Sequence, residues 1–271
     1  MVKEKNNGTK RFVEDNIRIV NKEGEEVDFI LNNIQRQYLT IDTSNRDIVL
    51  KARQQGFSSL ILARFTKDFI LKDNSLSVVV ADGKDNATDL LSRVKQFLSS
   101  YERKNKFKIP LKYNSKYELQ NQANNARYII GTAQDQQFGR SKTITNLHLS
   151  EAAFYPDFEK LMAGALQAVV PSGNVVIETT ANGFNAFKDF WTRSEKGETG
   201  FTPLFYPASK FYDSEYLAQK EKELGRYYRQ EYPETALEAF ITSGDCFFNL
   251  LALEKYLAEV KKPISKNIIY V

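Results

Sequence analysis

With 271 residues, 42% of them hydrophobic, the chain is long enough for one large α/β domain, alone or with a small appendage. It contains one cysteine, Cys246, and one histidine, His148, which excludes disulfide frameworks and Cys/His zinc sites. We expect neither a Cys–His nucleophile pair nor a Ser–His–Asp triad. Chemistry must therefore come from Asp, Glu, Lys, Arg, Ser or Thr side chains, or from a bound cation. No apolar run approaches the ~20 residues that span a bilayer, and no secretory signal is visible in the polar N-terminal residues, so we expect a cytoplasmic protein.

The first 30 residues are predicted to be a polar, mobile tail up to about residue 12 and then a small hairpin. The hairpin is indicated by apolar residues that alternate around a glycine turn, namely Ile17, Ile19, Val27 and Phe29. Apolar residues at 31, 34, 38 and 39 have helical spacing. Gln35 on this helix carries an amide that can both donate and accept, as recognition of an adenine edge requires; the alternative is a solvated surface residue.

Residues 51–59, KARQQGFSS, connect a short apolar run to a helix that is apolar enough to be buried. A strand, a short polar turn with a glycine and a helix form the layout of a phosphate-binding loop. The first N–H groups of the helix and the positive end of its dipole favour an anion. Gly56 allows the backbone to approach a phosphate closely, and Ser58 offers a hydroxyl to Mg²⁺.

The loop departs from the usual pattern, which begins with glycine and ends Gly-Lys-[Ser/Thr]. Lys51 stands at the first glycine position, and Phe57 stands at the lysine position. Arg53 lies inside the loop, and its guanidinium can clamp phosphate oxygens from the other side. The alternative is an ordinary strand–turn–helix with polar residues in the turn.

A basic segment covers residues 93–116 and follows a predicted strand at 77–81 and a predicted helix at 87–101. It contains eight basic side chains and one acidic side chain, Glu102. The basic residues are Arg93, Lys95, Arg103, Lys104, Lys106, Lys108, Lys112 and Lys116. The interleaved aromatic residues are Tyr101, Phe107, Tyr113 and Tyr117. Such a segment suits a polyanion, because cations follow phosphates and rings stack on bases or sugars; the alternative is a solvated face with the aromatic rings turned inward.

The next predicted strands, 126–131 and 143–151, are separated by a polar loop, and the second ends in an acid. Glu151 at that end can orient and deprotonate a water that attacks a γ-phosphate. Ser150 stands where an acid would normally assist the metal, and its hydroxyl can hold a metal-bound water without adding charge. The alternative for Glu151 is a helix-start residue. His148, inside the same strand, is predicted to be structural.

A further strand at 174–178 ends in Thr179 and Thr180, followed by Asn-Gly turn chemistry. Hydroxyl groups at this end can sense the γ-phosphate or its water; the alternative is a simple turn. The last strand of the core is predicted at 202–206, and a charged helix at 214–232 stops at a proline. Strands alternating with helices predict an α/β fold with a mostly parallel central sheet and right-handed crossovers.

Five segments, in order, resemble the ATPase domain of a large terminase subunit, the DNA-packaging motor protein of tailed bacteriophages. They are IQR at 34–36, RQQGFS at 53–58, LHLSEAA at 147–153, VIETTANG at 176–183, and RQEYPETALEAF at 229–240 with Ser243-Gly244. The resemblance covers roughly residues 30–250. It implies an ASCE-type P-loop NTPase with a small C-terminal lid subdomain.

The resemblance also implies the site. The expected nucleotide-binding residues are Gln35, Arg36, Arg53, Gln54, Gln55, Gly56, Phe57, Ser58 and Ser59. Glu151 is expected to be the catalytic acid, and Arg53 is expected to contact the phosphates. Arg140 is expected to be an arginine finger that reaches a neighbouring subunit's ATP; the alternative for Arg140 is a loop salt bridge. The expected Mg²⁺ partners are Ser58 directly and Ser150 and Glu151 through water. Thr179 and Thr180 would couple hydrolysis to movement.

The implied division is a tail and hairpin at 1–30, an ATPase core at 31–208, a lid at 209–250 and a linker at 251–271 toward a nuclease domain. That nuclease domain would follow Val271, so no DNA cleavage is expected from this chain. The implied partners are double-stranded DNA bound without sequence preference, the portal protein and the small terminase subunit. Copies of the chain are expected to form a ring, with a pentamer expected. The expected location is the host cytoplasm, without membrane contact. The alternatives are a helicase-like DNA-dependent ATPase and a non-hydrolysing DNA-binding assembly module with a decayed nucleotide pocket.

Overall fold

The computed structural model describes residues 2–41, 45–135 and 142–242, and residues 256, 259 and 260 beyond them. The helices are α1 (Val2–Asn16), α2 (Asn33–Thr40), α3 (Phe57–Leu71), α4 (Lys84–Asn105), α5 (Phe158–Ala168), α6 (Ala186–Glu195), α7 (Ser214–Leu224), α8 (Tyr228–Glu231) and α9 (Ala236–Thr242). The strands are β1 (Arg18–Val20), β2 (Glu26–Asp28), β3 (Arg46–Lys51), β4 (Leu76–Ala81), β5 (Leu111–Asn114), β6 (Glu118–Asn121), β7 (Arg127–Thr132), β8 (Ile144–Ser150), β9 (Val169–Thr179) and β10 (Thr202–Tyr206).

Eight strands form one sheet in the order β10-β3-β9-β8-β4-β7-β6-β5. The pairs from β10 to β7 are parallel, and β6 and β5 join antiparallel at the far edge. This confirms the predicted α/β class with a mostly parallel sheet. Because the carboxyl ends of parallel strands meet at one edge, β3, β8 and β9 all deliver their last residues to the same place.

Register decides which residues meet at that edge. Leu50 on β3 is the register partner of Thr179 on β9, and Ser150 on β8 is the register partner of Glu178 on β9. The strand β9 therefore lies between the strand that leads into the candidate phosphate loop and the strand that precedes Glu151.

Apolar side chains fill both faces of the sheet. One cluster joins α1, α2, α3 and α4 to one face, and a second joins α5, α6 and α9 to the other. The strand β3 is buried along nearly its whole length, and α3 is mostly apolar, as expected for central elements covered on both sides. A third, smaller cluster centres on Ala52, Ala208 and Tyr232 and packs α7 and α8 against the end of β3.

Two predicted elements need correction. The expected N-terminal tail is the helix α1, and Phe12 and Val13 on it are buried against the core. The single charged helix expected at 214–232 is broken: α7 ends at Leu224, and a 3-10 turn at Gly225–Tyr227 precedes α8. Gly225 ends α7 with a positive φ of 52°, a conformation that favours glycine.

Other predictions fall outside the described residues, namely Arg140 and Ser243-Gly244. The division into core, lid and linker stays a prediction. Within the part of the chain that the structure describes, no helix combines the length and the apolar character that crossing a bilayer requires.

Candidate active site

The turn between β3 and α3 has the backbone form of an anion-binding loop. Gln54 and Gly56 both have left-handed backbone, with φ of 55° and 77°. The helix α3 begins at Phe57, so the N–H groups of its first turn have no acceptor within the helix. Such donors at a helix start, together with the positive end of the dipole, make this turn suitable for phosphate oxygens.

Gly56 is required by both backbone and space. A Cβ at this position would lie 2.8 Å from the Gln35 Nε2, closer than side chains tolerate. Gln35 is buried, donates from Nε2 to the Gly56 carbonyl oxygen at 2.8 Å and accepts from the Asn32 N–H at 2.9 Å. Its amide therefore fixes α2 against the loop. The predicted contact of Gln35 with adenine stays a prediction.

Two loop residues expected to contact nucleotide direct their side chains into the protein. The Phe57 ring is buried between Tyr38 and Tyr206, with ring centroids 5.6 and 4.8 Å away. The Gln55 amide is fully buried and donates to the Pro207 carbonyl oxygen at 3.1 Å. Apolar packing and a buried hydrogen bond hold these side chains, so the two residues can offer only main-chain groups to a phosphate.

Arg53 lies in the loop as expected, but its guanidinium has a protein partner. The Arg53 Nε is 2.5 Å from the Glu231 Oε2 on α8, and the Arg53 N–H donates to the Glu231 carbonyl oxygen at 3.0 Å. The Tyr212 hydroxyl donates to the Arg53 carbonyl oxygen at 2.8 Å. The region predicted as a lid thus holds this loop through both main chain and side chain.

Glu151 occupies the turn after β8 with a φ of 56° and a ψ of 46°. A residue other than glycine is strained there, and such strain is typical of functional sites. Its Oε2 accepts from the Thr180 N–H at 3.2 Å and from the Thr179 hydroxyl at 3.4 Å. The structure therefore brings the predicted catalytic acid and both predicted coupling residues into direct contact.

Lys51, the last residue of β3, lies between two carboxylates. Its Nζ is 3.3 Å from the Glu151 Oε1 and 3.2 Å from the Glu178 Oε2. Burial alone would lower the pKa of Lys51, but Glu178 and Glu151 together raise it above its ordinary value. A permanently charged ammonium therefore stands beside the predicted catalytic acid.

Glu178 is the centre of this network although nothing in its local sequence marks it. It is fully buried, and its Oε1 accepts from the Ser58 hydroxyl at 2.7 Å and the Ser150 hydroxyl at 2.9 Å. The His148 Nε2 lies 3.3 Å from the same oxygen. Burial alone would raise the pKa of Glu178, but the Lys51 charge and the hydrogen bonds from His148 and Ser58 hold it well below its ordinary value.

A cavity of about 820 Å³ lies at this edge of the sheet. Predicted site residues that line it are Arg53, Gln54, Gln55, Gly56, Phe57, Ser58, Ser59, Ser150, Glu151 and Thr180. Lys51, Asp82 and Arg93 also line it, and sequence reasoning assigned none of them to the site. Gln35 and Arg36 are not among the lining residues, and the Arg36 Nη2 lies 3.5 Å from the Glu14 Oε1.

The oxygen ligands that line the cavity suit Mg²⁺, because Ser58, Ser150 and Glu151 present only hard oxygen atoms. Within the described residues no group of three His, Cys, Asp or Glu side chains is arranged to hold a metal by itself. A P-loop site does not need such a group, since one or two carboxylates and the nucleotide's phosphates complete the coordination of Mg²⁺.

The basic segment forms the exposed far edge of the sheet, from the last turns of α4 through β5. Arg103, Lys104, Lys106, Lys108, Lys112 and Lys116 are all exposed. Phe107, Tyr113 and Tyr117 are also exposed, at 56%, 51% and 51%. Only Tyr101 turns inward, where it stacks on Phe12 at 5.7 Å. The arrangement is the interleaved basic and aromatic surface, rather than the inward-turned alternative.

The sheet order, the loop at the carboxyl end of β3 and the acid after β8 define the class of P-loop NTPase folds. No protein-family model matches the chain. Solved structures that share the fold include the large terminase ATPase domain of Thermus phage P74-26, with a TM-score of 0.61 and 17% identity. The match covers 74% of this chain and 92% of that chain.

The bacteriophage HK97 large terminase is similar with a TM-score of 0.64 and 14% identity over 83% of this chain and 53% of that one. The large terminase of a thermophilic bacteriophage, in complex with ATP-gamma-S, is similar with a TM-score of 0.56 and 11% identity. The match covers 73% of this chain and 51% of that one. The chain thus spans about half the length of these two proteins. The fold is that of large terminase ATPase domains, which confirms at the level of fold the resemblance seen in the sequence.

Proposed function

We propose that this chain is the ATPase motor domain of a viral large terminase, which hydrolyses ATP and uses the energy to move double-stranded DNA. The observation that carries the proposal is the convergence on one cavity of the loop around Gly56, the Ser58 hydroxyl and the Glu151 carboxylate. The fold shared with large terminase ATPase domains supports it.

In the proposed site, the N–H groups of the loop bind the phosphates of ATP, and Lys51 and Arg53 neutralise their charge. Ser58 directly, and Ser150 and Glu151 through water, would hold Mg²⁺, whose charge would neutralise the charge that develops on the phosphates. Glu151 orients a water and accepts its proton while the water oxygen bonds to the γ-phosphorus and the bond to the β-phosphate oxygen breaks, which yields ADP and phosphate.

Loss of phosphate reaches the rest of the protein through the contact between Glu151 and Thr180. The Thr180 N–H bonds the Glu151 carboxylate directly, so a change in the carboxylate position alters the end of β9. Arg140, from the loop before β8, is proposed to reach a neighbouring subunit's ATP in a ring of copies, where an arginine finger contributes ~10³-fold or more to the rate.

Double-stranded DNA is proposed as the partner because the exposed edge at residues 103–117 offers cations and aromatic rings together. Phosphate contacts of this kind give affinity without sequence preference, as a translocating motor requires. The portal protein and the small terminase subunit are proposed as further partners, and the host cytoplasm as the compartment.

The test is steady-state ATP turnover with Mg²⁺ and double-stranded DNA, for wild type and Glu151→Ala. Wild type is expected to turn over ATP, and Glu151→Ala to lose about 100-fold or more, as expected for a missing general base. Glu195→Ala is the control, because Glu195 is an exposed carboxylate at the end of α6. Equal, negligible rates for wild type and Glu151→Ala, in assembled rings and with DNA, would favour the decayed-pocket alternative. Turnover accompanied by strand separation would favour a helicase.

A further inference from the structure

The site lacks a carboxylate where P-loop ATPases keep one. In that class the loop Ser or Thr and an acid at the end of a neighbouring strand hold Mg²⁺ together. Here the corresponding position on β8 is Ser150, whose hydroxyl adds no charge. Yet the Ser58 hydroxyl does reach a carboxylate, that of Glu178, at 2.7 Å.

Register places that carboxylate beside the missing one. Glu178 on β9 is the direct register partner of Ser150 on β8, and the two side chains are hydrogen-bonded at 2.9 Å. The carboxylate therefore lies on the strand next to the one that usually carries it, and it still contacts the serine of the loop.

We propose that Glu178 is the acidic positioning residue of the magnesium–nucleotide site and takes the place of the acid that Ser150 lacks. It acts through Ser58 and Lys51, which it holds at the base of the phosphate loop, and it supplies the buried negative charge that favours a divalent cation. This inference rests on the proposed ATPase function.

Burial makes a purely structural role costly. Glu178 is fully buried, and the effective penalty for burying an ion is several kcal/mol. Its partners come from three separate elements: Lys51 ends β3, Ser58 lies in the first turn of α3, and Ser150 and His148 lie on β8. A carboxylate that served only as the counter-ion of Lys51 would need no contact with the serine of the loop.

The experiment measures binding of a fluorescent, non-hydrolysable ATP analogue with Mg²⁺ and with EDTA, so that the readout is the effect of the metal on affinity rather than activity. Wild type is expected to bind roughly tenfold tighter or better with Mg²⁺. Glu178→Gln keeps the shape but not the charge, and its affinity is expected to be nearly the same with and without the metal. Glu195→Gln is the matched surface control and should keep the wild-type ratio.

The decisive variant moves the acid back: Ser150→Asp combined with Glu178→Ser. It is expected to regain most of the Mg²⁺ effect that Glu178→Gln loses. Melting temperatures without ligand show which variants are folded. If Glu178→Gln does not fold, the test uses Glu178→Asp and the relocated pair. Glu178→Asp is then expected to show a weakened effect of Mg²⁺ on affinity, and the relocated pair is expected to keep most of that effect.

The inference would be overturned if Glu178→Gln had the same ratio of affinities with Mg²⁺ and with EDTA as wild type. It would also be overturned if a folded relocated pair lost the effect of Mg²⁺ on affinity. No binding of the analogue by wild type under any condition would instead sink the proposed function, so the two failures are distinguishable.

Discussion

Arg53 and Glu231 are joined at two points, through the main chain at 3.0 Å and through the side chains at 2.5 Å. The first contact ties the phosphate loop to α8, and the second occupies the guanidinium that is proposed to bind phosphate. Burial raises the pKa of Glu231, and the Arg53 charge opposes that effect. In the proposed site, nucleotide would therefore compete with Glu231 for Arg53.

We expect Glu231→Gln to tighten binding of a non-hydrolysable ATP analogue by roughly three- to tenfold, because the freed guanidinium then turns to the phosphates. The gain in binding free energy is limited to about 1 kcal/mol, because solvent screens the charge of the exposed Arg53 side chain. Titration calorimetry measures it. The control is the same change in an Arg53→Ala background, where no gain is expected. Equal gains in both backgrounds would show that Glu231 acts without Arg53.

Gly56→Ala is expected to destabilise the fold by about 1–3 kcal/mol and to weaken nucleotide binding, because the site combines a φ of 77° with a Cβ position 2.8 Å from the Gln35 Nε2. Gly24→Ala is a matched control: its φ is 82°, but nothing lies within 4 Å of the added Cβ. It should cost about 1 kcal/mol, the backbone part alone. Urea unfolding measures both, and equal costs would contradict the close-approach argument.

Lys51→Met is expected to lower the free energy of unfolding by about 3 kcal/mol at pH 7, since Glu178 then remains buried without its cation. In wild type the pKa of Glu178 is lowered, so its stabilisation is present above the ordinary value of 4.5 and is lost as the pH falls below it. Without Lys51, we expect the effect of burial, which raises the pKa of Glu178, to prevail. The deficit of the variant should therefore shrink as the pH falls from 7 toward 4.5.

Chemical denaturation of both proteins across this pH range measures the effect. Lys72→Met is the control, because the exposed Lys72 pairs with the buried Asp68 at 2.8 Å, and the Asn146 amide still donates to that carboxylate at 3.2 Å when Lys72 is lost. It should cost less than about 1 kcal/mol. A Lys51→Met deficit that stays constant with pH would show that the lost contribution is packing rather than charge.

Removing three cations from the basic edge is expected to weaken binding to double-stranded DNA. The variant combines Lys106→Ala, Lys112→Ala and Lys116→Ala, all at exposed positions. If each lysine contacts a phosphate, the slope of log K against log salt should become shallower by up to about 3. Binding measured by anisotropy over a salt series, with duplexes of different sequence, should show the same loss for each.

The control triple removes exposed lysines elsewhere on the surface, namely Lys196→Ala, Lys210→Ala and Lys222→Ala. It changes the net charge equally. A salt slope lowered equally by both triples would mean that overall charge, and not this edge, attracts DNA.

Local patterns were sufficient to predict most of the elements. The apolar run of β3, the strand β10 at residues 202–206 and the hairpin of β1 and β2 were all predictable, because strand alternation and turn chemistry are properties of a few neighbouring residues. The helix α1 was missed, since its sequence is polar at the start and its buried side chains, Phe12 and Val13, find their partners only in the folded core.

The ordered motifs also predicted residues that the fold brings together: Gly56, Ser58, Glu151 and Thr180 line one cavity. What the amino-acid sequence could not indicate is which charges meet there. Glu178 lies 120 residues after Ser58 and 28 after Ser150, and no local pattern relates them. Strand order and register bring β9 between β3 and β8, and burial then forces its carboxylate to bind Lys51 and the two serines. Local residue pattern determined the elements and the loop, whereas the tertiary structure decided the electrostatics of the site, because charge pairing depends on distance in space and not along the chain.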